Sequence, residues 1–455
     1  MGEQQSCSRL GRLLRAGWSI PMNRLSQYHP ASLALYGYAS YVVLGWILLL
    51  SPWALDKAVG ALDTLFIAMS AVSTTGLCPL SVADTYSFFG ELVVLALIQV
   101  GGIGYMTFGS FVILARSRSL SPIRTEIGKT VFSLPASLDI TVFLRRVIQF
   151  TLVFETLGTL ALYPIFLRAG DPEALWSAVF HSVSAFCTAG FSLYNLSFEG
   201  FTDDFWLHLV IGTLSYLGAV GFIVCADLWR TFTGETERIT LTSRIILLAT
   251  LWMAVFGTVV LFLIEPSFQT MAPHRRVLAA FFQAMTAMTT VGFNTVPIGA
   301  LSKASLFLLL AFMIIGASPS GTGGGLKTTT FTAIWGVMRS AMHGRLEVRF
   351  WDQPIPSERV LNAVAGAGMY LGALFVGTFL LQLTEASGFL DNLFEAASAL
   401  GTVGLSMGIT SALTPLGKVI LIAMMFLGRL GPLTLGMAFF CERPRATYPD
   451  NDLAV

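Results

Sequence analysis

The stretch FIAMSAVSTTGL, running from Phe66 to Leu77, occurs four times in this chain in altered form. The further copies are FHSVSAFCTAGF (180–191), FQAMTAMTTVGF (282–293) and FEAASALGTVGL (394–405). All share Phe, then Ser or Thr four residues on, then Ala, then Thr-x-Gly, closed by Leu or Phe. Their glycines, Gly76, Gly190, Gly292 and Gly404, are spaced by 114, 102 and 112 residues. A motif repeated in register at near-equal intervals implies related structural units packed as one array. A short helix that ends in Thr-x-Gly is suited to present backbone carbonyls to a cation. The pattern predicts four such helix–loop units around one axis, and a pathway for cations.

Composition agrees. Of 455 residues, 55% are hydrophobic and 12% charged, with mean hydropathy +0.72. That is too apolar for a soluble domain of this length. The net charge of +1 provides no electrostatic footprint for nucleic acid, so no such partner is expected. Cys7, Cys78, Cys187, Cys225 and Cys441 are scattered, without metal-ligand or disulfide-framework spacing. Residues 1–30 carry Arg9, Arg12, Arg15 and Arg24 but no continuous apolar core. They are expected to form a cytoplasmic N-terminal segment, not a cleaved signal peptide.

A spanning helix needs about 20 mainly apolar residues. Eight stretches qualify: 31–52, 86–115, 142–167, 205–229, 243–264, 302–340 (interrupted), 358–383 and 414–440. One motif copy lies between each odd and even stretch. The motif helices are too short to span and should re-enter from one side. The fold class expected is therefore an all-α integral membrane protein. It comprises four outer helix–pore helix–inner helix repeats with pseudo-fourfold symmetry around one central pore, and eight spanning helices. The repeats occupy 31–116, 140–232, 243–345 and 358–440, followed by a cytoplasmic tail over 441–455.

Orientation follows from Lys and Arg. The termini and the loops without motifs hold nineteen, including Arg116, Arg118, Arg124, Lys129, Arg230, Arg238 and Arg244, against six on the motif side. The motif side is expected outside and both termini in the cytoplasm of a cell-membrane protein.

Four segments are the candidate ion-binding filter: Ser73, Thr74, Thr75 and Gly76; Cys187, Thr188, Ala189 and Gly190; Thr289, Thr290, Val291 and Gly292; Gly401, Thr402, Val403 and Gly404. Four loops can supply four carbonyl oxygens at one level, replacing the hydration shell of a cation. Glycine tolerates the backbone conformations that such a turn requires. The threonine hydroxyls can add oxygens at the inner mouth. Each pore helix aims its partially negative C-terminal end at the axis, which favours a cation below.

The sixth stretch is broken by GASPSGTGGGLKTTT (316–330). Pro319 and the glycines at 316, 321, 323, 324 and 325 cannot sustain a helix, yet apolar runs flank them at 304–315 and 331–338. Irregular backbone at membrane depth must be buried in protein or line water. A phosphate-binding loop fails on spacing, because Leu326 separates Gly325 from Lys327. The expected arrangement is an intramembrane loop beneath the filter, blocking the cavity until it moves. Lys327 and Arg429, two cations at membrane depth, should bond its carbonyls.

This fourfold plan, with one glycine per filter segment, resembles the Trk/Ktr/HKT superfamily of potassium transporters over about residues 30–440. Lacking an extra N-terminal helix pair, the sequence resembles the Ktr-type membrane subunit more than the longer TrkH type. In that superfamily a serine at the first filter glycine accompanies sodium permeation; glycine at all four places, Gly76 included, implies potassium selectivity. The resemblance also implies gating by the Gly-rich loop through Gly316, Gly321, Thr322, Gly323, Gly324, Gly325 and Lys327, and a gating role for Arg429. It implies a homodimer regulated by a cytosolic ring of Rossmann-type subunits that bind ATP or ADP. No cofactor is expected in the chain itself; potassium is the substrate, with sodium open as a co-ion.

Other polar positions are less telling. Glu155 stands alone inside the third stretch, where it can pair with a Ser or Thr. His181, Gln283 and Glu395 share one pore-helix position, held by Ile67 in the first copy, and should tie the helix to neighbouring backbone. Gly101, Gly102, Gly104, Gly218, Gly221, Gly428 and Gly431 suit close packing or bending of inner helices. A secondary transporter with a midplane site between repeats stays open as the alternative. An intramembrane enzyme is not expected, since no nucleophile–base pair falls inside the spans.

Overall fold

The computed structural model describes residues 30–104, 140–345, 347–351 and 353–440. The expected N-terminal segment up to residue 29, the end of the first repeat (105–116) and the tail 441–455 lie outside the described residues.

The described chain is helical apart from a two-stranded hairpin, β1 (Arg349–Phe350) and β2 (Gln353–Pro354). Its main helices are α1 (Pro30–Leu49), α2 (Ala61–Ser73), α3 (Phe88–Ile103), α4 (Ile140–Arg168), α5 (Ala174–Phe186), α6 (Phe205–Val220), α7 (Phe222–Phe232), α8 (Leu241–Ile264), α9 (Pro273–Thr289), α10 (Lys303–Ile315), α11 (Thr328–Met342), α12 (Ser357–Thr384), α13 (Phe389–Gly401), α14 (Pro415–Leu430) and α15 (Pro432–Phe440). Among the described residues, three helices are long and apolar enough to cross a membrane: residues 144–168 of α4, α8 and α12. A fourth crossing follows if the bent pair α6–α7 counts as one.

The motif helices are α2, α5, α9 and α13, and their invariant residues face inward. Phe66, Phe180, Phe282 and Phe394, with Ala71, Ala185, Ala287 and Ala399, are completely buried. Each motif helix packs on the helix before it (α1, α4, α8, α12) and the helix after it (α3, α6, α10, α14). Contacts also pass onward: α3 meets α5, α6 meets α9, α10 meets α13, and α14 returns to α2. The chain thus closes on itself, and the Thr-x-Gly segments fall where the four motif helices end.

The helices that follow the motifs differ from expectation. Only the sixth stretch was expected to be interrupted, yet all four helices stop at a glycine in the left-handed region: Gly104 (φ 88°), Gly221 (φ 94°), Gly316 (φ 69°) and Gly431 (φ 83°). Only glycine adopts such φ without penalty. At Gly221 the chain turns by 94° between α6 and α7. Three residues before three of these breaks, Gly101, Gly218 and Gly428 lie against the backbone carbonyls of Val72, Phe186 and Leu400, in the last turns of the motif helices. The absence of a side chain is what lets helix and carbonyl touch.

Gly218→Val would drive a side chain into the Phe186 carbonyl, overpacking that costs about 1–3 kcal/mol or more. The melting temperature of the detergent-solubilised protein should fall by several degrees, whereas Gly366→Val, where a Cβ meets nothing within 4 Å, should leave it unchanged. Equal melting by the two variants would contradict the packing described.

Candidate functional site

Each motif helix ends the same way. The amides of Thr75, Ala189, Val291 and Val403 donate to the carbonyls of Ser70, Ser184, Thr286 and Ser398 at 2.8–3.1 Å. This pulls the chain back over the last turn and leaves Thr74, Thr188, Thr290 and Thr402 left-handed, with φ of 54°, 49°, 58° and 49°. A β-branched residue rarely takes that conformation. Four recurrences at matched positions mark strain held in place by its surroundings, as functional segments often do. The motif Ser has a definite task in the first and fourth copies: Ser70 and Ser398 hydroxyls each accept the amide of Gly76 or Gly404 at 3.0 Å.

The glycines of the segments are also left-handed, with φ of 90°, 66°, 85° and 92°. A Cβ on Gly76 would collide with the carbonyl oxygen of Ala189, one on Gly190 with that of Val291, one on Gly292 with that of Val403, and one on Gly404 with that of Thr75. Each segment therefore leans on the carbonyl of the next, and the fourth leans on the first. All sixteen residues expected in the filter come together here.

The Gly-rich segment lies directly against this ring. Helix stops at Ile315, as the composition predicts, and resumes at Thr328, so that residues 328–330, expected in the loop, are helical. Thr322 Oγ1 accepts from Thr188 Oγ1 (3.1 Å) and donates to the Phe186 carbonyl (3.1 Å). Thr74 Oγ1 lies 3.4 Å from the Thr322 carbonyl, and the Gly324 amide donates to Thr290 Oγ1 (3.0 Å). A Cβ at Gly324 would strike Thr402 Oγ1 and the Gly401 carbonyl. One loop thus touches all four segment threonines. Its ends are pinned by Ala317 and Gly324 (N–H to carbonyl, 3.0 Å), and by the amides of Leu326 and Lys327 to the carbonyls of Ile314 and Ile315.

Both expected cations reach the loop. Lys327 Nζ donates to the Gly323 carbonyl (2.6 Å). Arg429 Nη1 donates to Thr74 Oγ1 (3.0 Å) and to the Thr322 carbonyl, while its Nη2 donates to the Gly101 carbonyl.

Ser182 Oγ donates to the Glu155 backbone carbonyl (2.7 Å), but the side chain of Glu155 pairs elsewhere. Its carboxylate accepts from Gln99 Nε2 (3.0 Å) and lies 3.7 Å from Cys187 Sγ, behind the second segment. His181, Gln283 and Glu395 tie their helices chiefly to the loop that follows each segment. His181 Nδ1 donates to the Ser177 carbonyl (2.7 Å) and Nε2 accepts from the Leu193 amide (3.3 Å), which fixes the neutral tautomer. Gln283 reaches Thr295, and Glu395 accepts from Thr410. Tyr194, stacked on His181 with ring centroids 5.0 Å apart, donates to Asp171 at 2.7 Å. Burial works against the charge of Asp171, but hydrogen bonds from Ser177, Tyr194 and the Glu173 amide outweigh it and hold that carboxyl below its usual range. Among the described residues no cluster of three His, Cys, Asp or Glu side chains could hold a metal ion.

A membrane protein whose helix ends converge on four strained Thr-x-Gly turns belongs to the cation-conducting class in its design. Comparison with known proteins places it. The TrkH family profile, described as cation transport protein, matches residues 39–450. The chain is 30% identical over 433 residues to the Ktr system potassium uptake protein B of Bacillus subtilis, covering 94% of this chain and 97% of that one. It is 29% identical over 438 residues to the potassium/sodium uptake protein NtpJ of Enterococcus hirae, covering 93% and 96%. The crystal structure of the potassium transporter TrkH from Vibrio parahaemolyticus superposes with a TM-score of 0.69 at 20% identity, over 89% of this chain and 82% of that one. The chain belongs to the TrkH family of cation transport proteins. It is a transporter, not an enzyme, and a multi-pass membrane protein.

The Glu155 cluster can be tested on its own. Glu155→Leu strands the half-buried Gln99 amide, a loss of about 1 kcal/mol or more, and should lower the melting temperature by several degrees. Glu155→Gln keeps an acceptor and should melt near the parent. Equal loss in both variants would assign the effect to charge instead of to the hydrogen bond.

Proposed function

We propose that this protein takes up potassium across the cytoplasmic membrane through a selectivity filter formed by the four Thr-x-Gly segments. The observation that carries this reading is the closed ring of glycine-to-carbonyl contacts with all four threonine hydroxyls against one loop. In this reading four pore repeats with pseudo-fourfold symmetry and eight crossings, some broken at glycine, surround a single pore. The segments face outside and both termini lie in the cytoplasm, in line with the placement of Lys and Arg. Potassium is the cargo suggested by the names of the relatives; the Enterococcus hirae relative's name keeps sodium in view as a second ion.

Gly76→Ser tests the filter. The substituted Cβ would meet the Ala189 carbonyl and would have to adopt φ near 90°, so the ring must distort at that carbonyl. Discrimination of potassium against sodium should fall about tenfold or more in competitive uptake by a host lacking its own potassium uptake, a loss of about 1.4 kcal/mol. Unchanged selectivity here and in the matching variants of Gly190, Gly292 and Gly404 would sink the filter assignment.

The loop 316–327 is the proposed gate, closed in the conformation described, with Arg429 and Lys327 as its latches. Regulation then comes from a separate cytosolic component, a nucleotide-binding ring of Rossmann-type subunits docked on a homodimer, as the resemblance to Ktr systems implies. Hydrogen bonds to charged donors contribute about 1.5–3 kcal/mol each, and about 1.4 kcal/mol shifts a two-state equilibrium tenfold. Arg429→Ala or deletion of Thr322 to Gly325 should raise potassium flux into liposomes about tenfold or more. Parental flux from a correctly inserted, stable deletion variant would show that the loop is not the gate.

A further inference from the structure

At the start of α8 the structure holds a cavity of about 470 Å³, lined by Thr231, Glu237, Arg238, Arg244, Trp351 and Gln353 among others. It lies between the α7–α8 connection and the β1–β2 hairpin. Its level in the membrane follows from α8, a 24-residue helix long and apolar enough to cross. Arg244 sits in the first turn of that helix, so the cavity opens at a membrane–water boundary. Helix α7, turned 94° from α6, exposes Leu228, Trp229 and Phe232, the last 87% exposed. Aromatic residues of this kind gather at the headgroup level.

The lining is built for an anion. The Arg244 guanidinium carbon sits 4.1 Å from the centroid of the Trp351 ring. Stacking fixes the plane of the guanidinium and leaves its N–H edge free for acceptors. Trp351 takes a left-handed φ of 46°, an uncommon conformation for a bulky residue, in placing its ring there. Neither Arg238 nor Arg244 makes an ion pair among the described residues, although nearby Arg230 is paired with Glu235 at 3.4 Å. Among the described lining residues, two guanidiniums without an ion pair stand against one carboxylate, Glu237, which makes that part of the lining net positive. A phosphate oxygen pair is the natural partner of such a fork.

The surface above the cavity indicates where that phosphate comes from. Arg244, Leu248, Leu251, Trp252 and Val255 recur at helical spacing and are all exposed on one face of α8. An apolar lane running from an arginine pair into the membrane matches a headgroup followed by its acyl chain. We propose that this cavity binds the phosphate of an anionic phospholipid headgroup, with Arg238 and Arg244 as the phosphate ligands and the exposed face of α8 as the chain track. The proposal rests on the membrane location alone and is independent of the filter and gate assignments.

Native mass spectrometry of the full chain in detergent, titrated with dioleoylphosphatidylglycerol, dioleoylphosphatidylcholine, sn-glycerol 3-phosphate or inorganic phosphate, tests it. Phosphatidylglycerol should bind at least tenfold more tightly than phosphatidylcholine. The difference should disappear in Arg238→Gln/Arg244→Gln and increase in Glu237→Gln, which removes the opposing charge of the described lining. The Glu237→Gln arm and the single variant Arg238→Gln decide the matter if the double variant is unstable. Phosphatidylglycerol bound equally by parent and arginine variants would overturn the site, as would weaker binding by Glu237→Gln. Glycerol phosphate or inorganic phosphate that binds as tightly as the lipid would overturn the headgroup source in favour of a free phosphate.

Discussion

The arrangement depends on one steric constraint: at four places no Cβ can exist. Gly76, Gly190, Gly292 and Gly404 each lie against the carbonyl of the following segment, and the last closes on the first. Four backbones can approach that closely only if every helix leading to them is held at the right depth. The buried Phe and Ala of each motif do this, as do the contacts of Gly101, Gly218 and Gly428 with the helix ends. The left-handed threonines are a cost of the same closure. Their strain persists because an amide-to-carbonyl bond back to the motif Ser or Thr recurs in all four copies.

The break in α6–α7 and the Gly-rich loop satisfy one another. Stopping a helix at Gly221 frees the carbonyls of its last turn. Gly218 and Ala219 accept instead from the amides of Thr322 and Ser318, and the Phe222 amide donates back to the Ser320 carbonyl at 3.2 Å. Irregular backbone at this depth is tolerable because each side supplies what the other lacks. A loop that left this position would expose those groups, so any open form must offer them water or other partners.

Much of this could be read from the sequence because it is periodic. The ends of the motif helices, the gap between Ile315 and Thr328, and the reach of Lys327 and Arg429 to loop carbonyls all follow from residue type and spacing. The breaks at Gly104, Gly221 and Gly431 were hidden, since a glycine inside an apolar run reads equally as packing or bending. The pairing of Glu155 with Gln99 was hidden too: the two are 56 residues apart, and no local pattern links them. The stacking of Arg244 on Trp351 depends on a hairpin that brings distant segments together. Which atom the motif Ser serves was likewise beyond reading, because Ser70 and Ser398 bond a glycine amide while Ser184 donates to the Phe191 carbonyl.

Lys327 and Arg429 both bond the same loop, yet their mechanical positions differ. The Lys327 ammonium bonds a carbonyl four residues away in its own loop, so that side chain braces the loop's shape, while its amide pins the loop end to the Ile315 carbonyl. Arg429 stands on α14 and bonds Thr74 of the first segment, Thr322 of the loop and Gly101 of α3. It therefore joins the last helix set to the first, across the seam where the ring closes, and joins both to the loop. A guanidinium suits that place because its planar fork can serve several acceptors at once, which an ammonium on a flexible stem does less well. In the proposed pore, motion of the loop and integrity of the seam share one side chain. The segment most exposed to movement of the loop is then the first, where Thr74 and Gly76 lie.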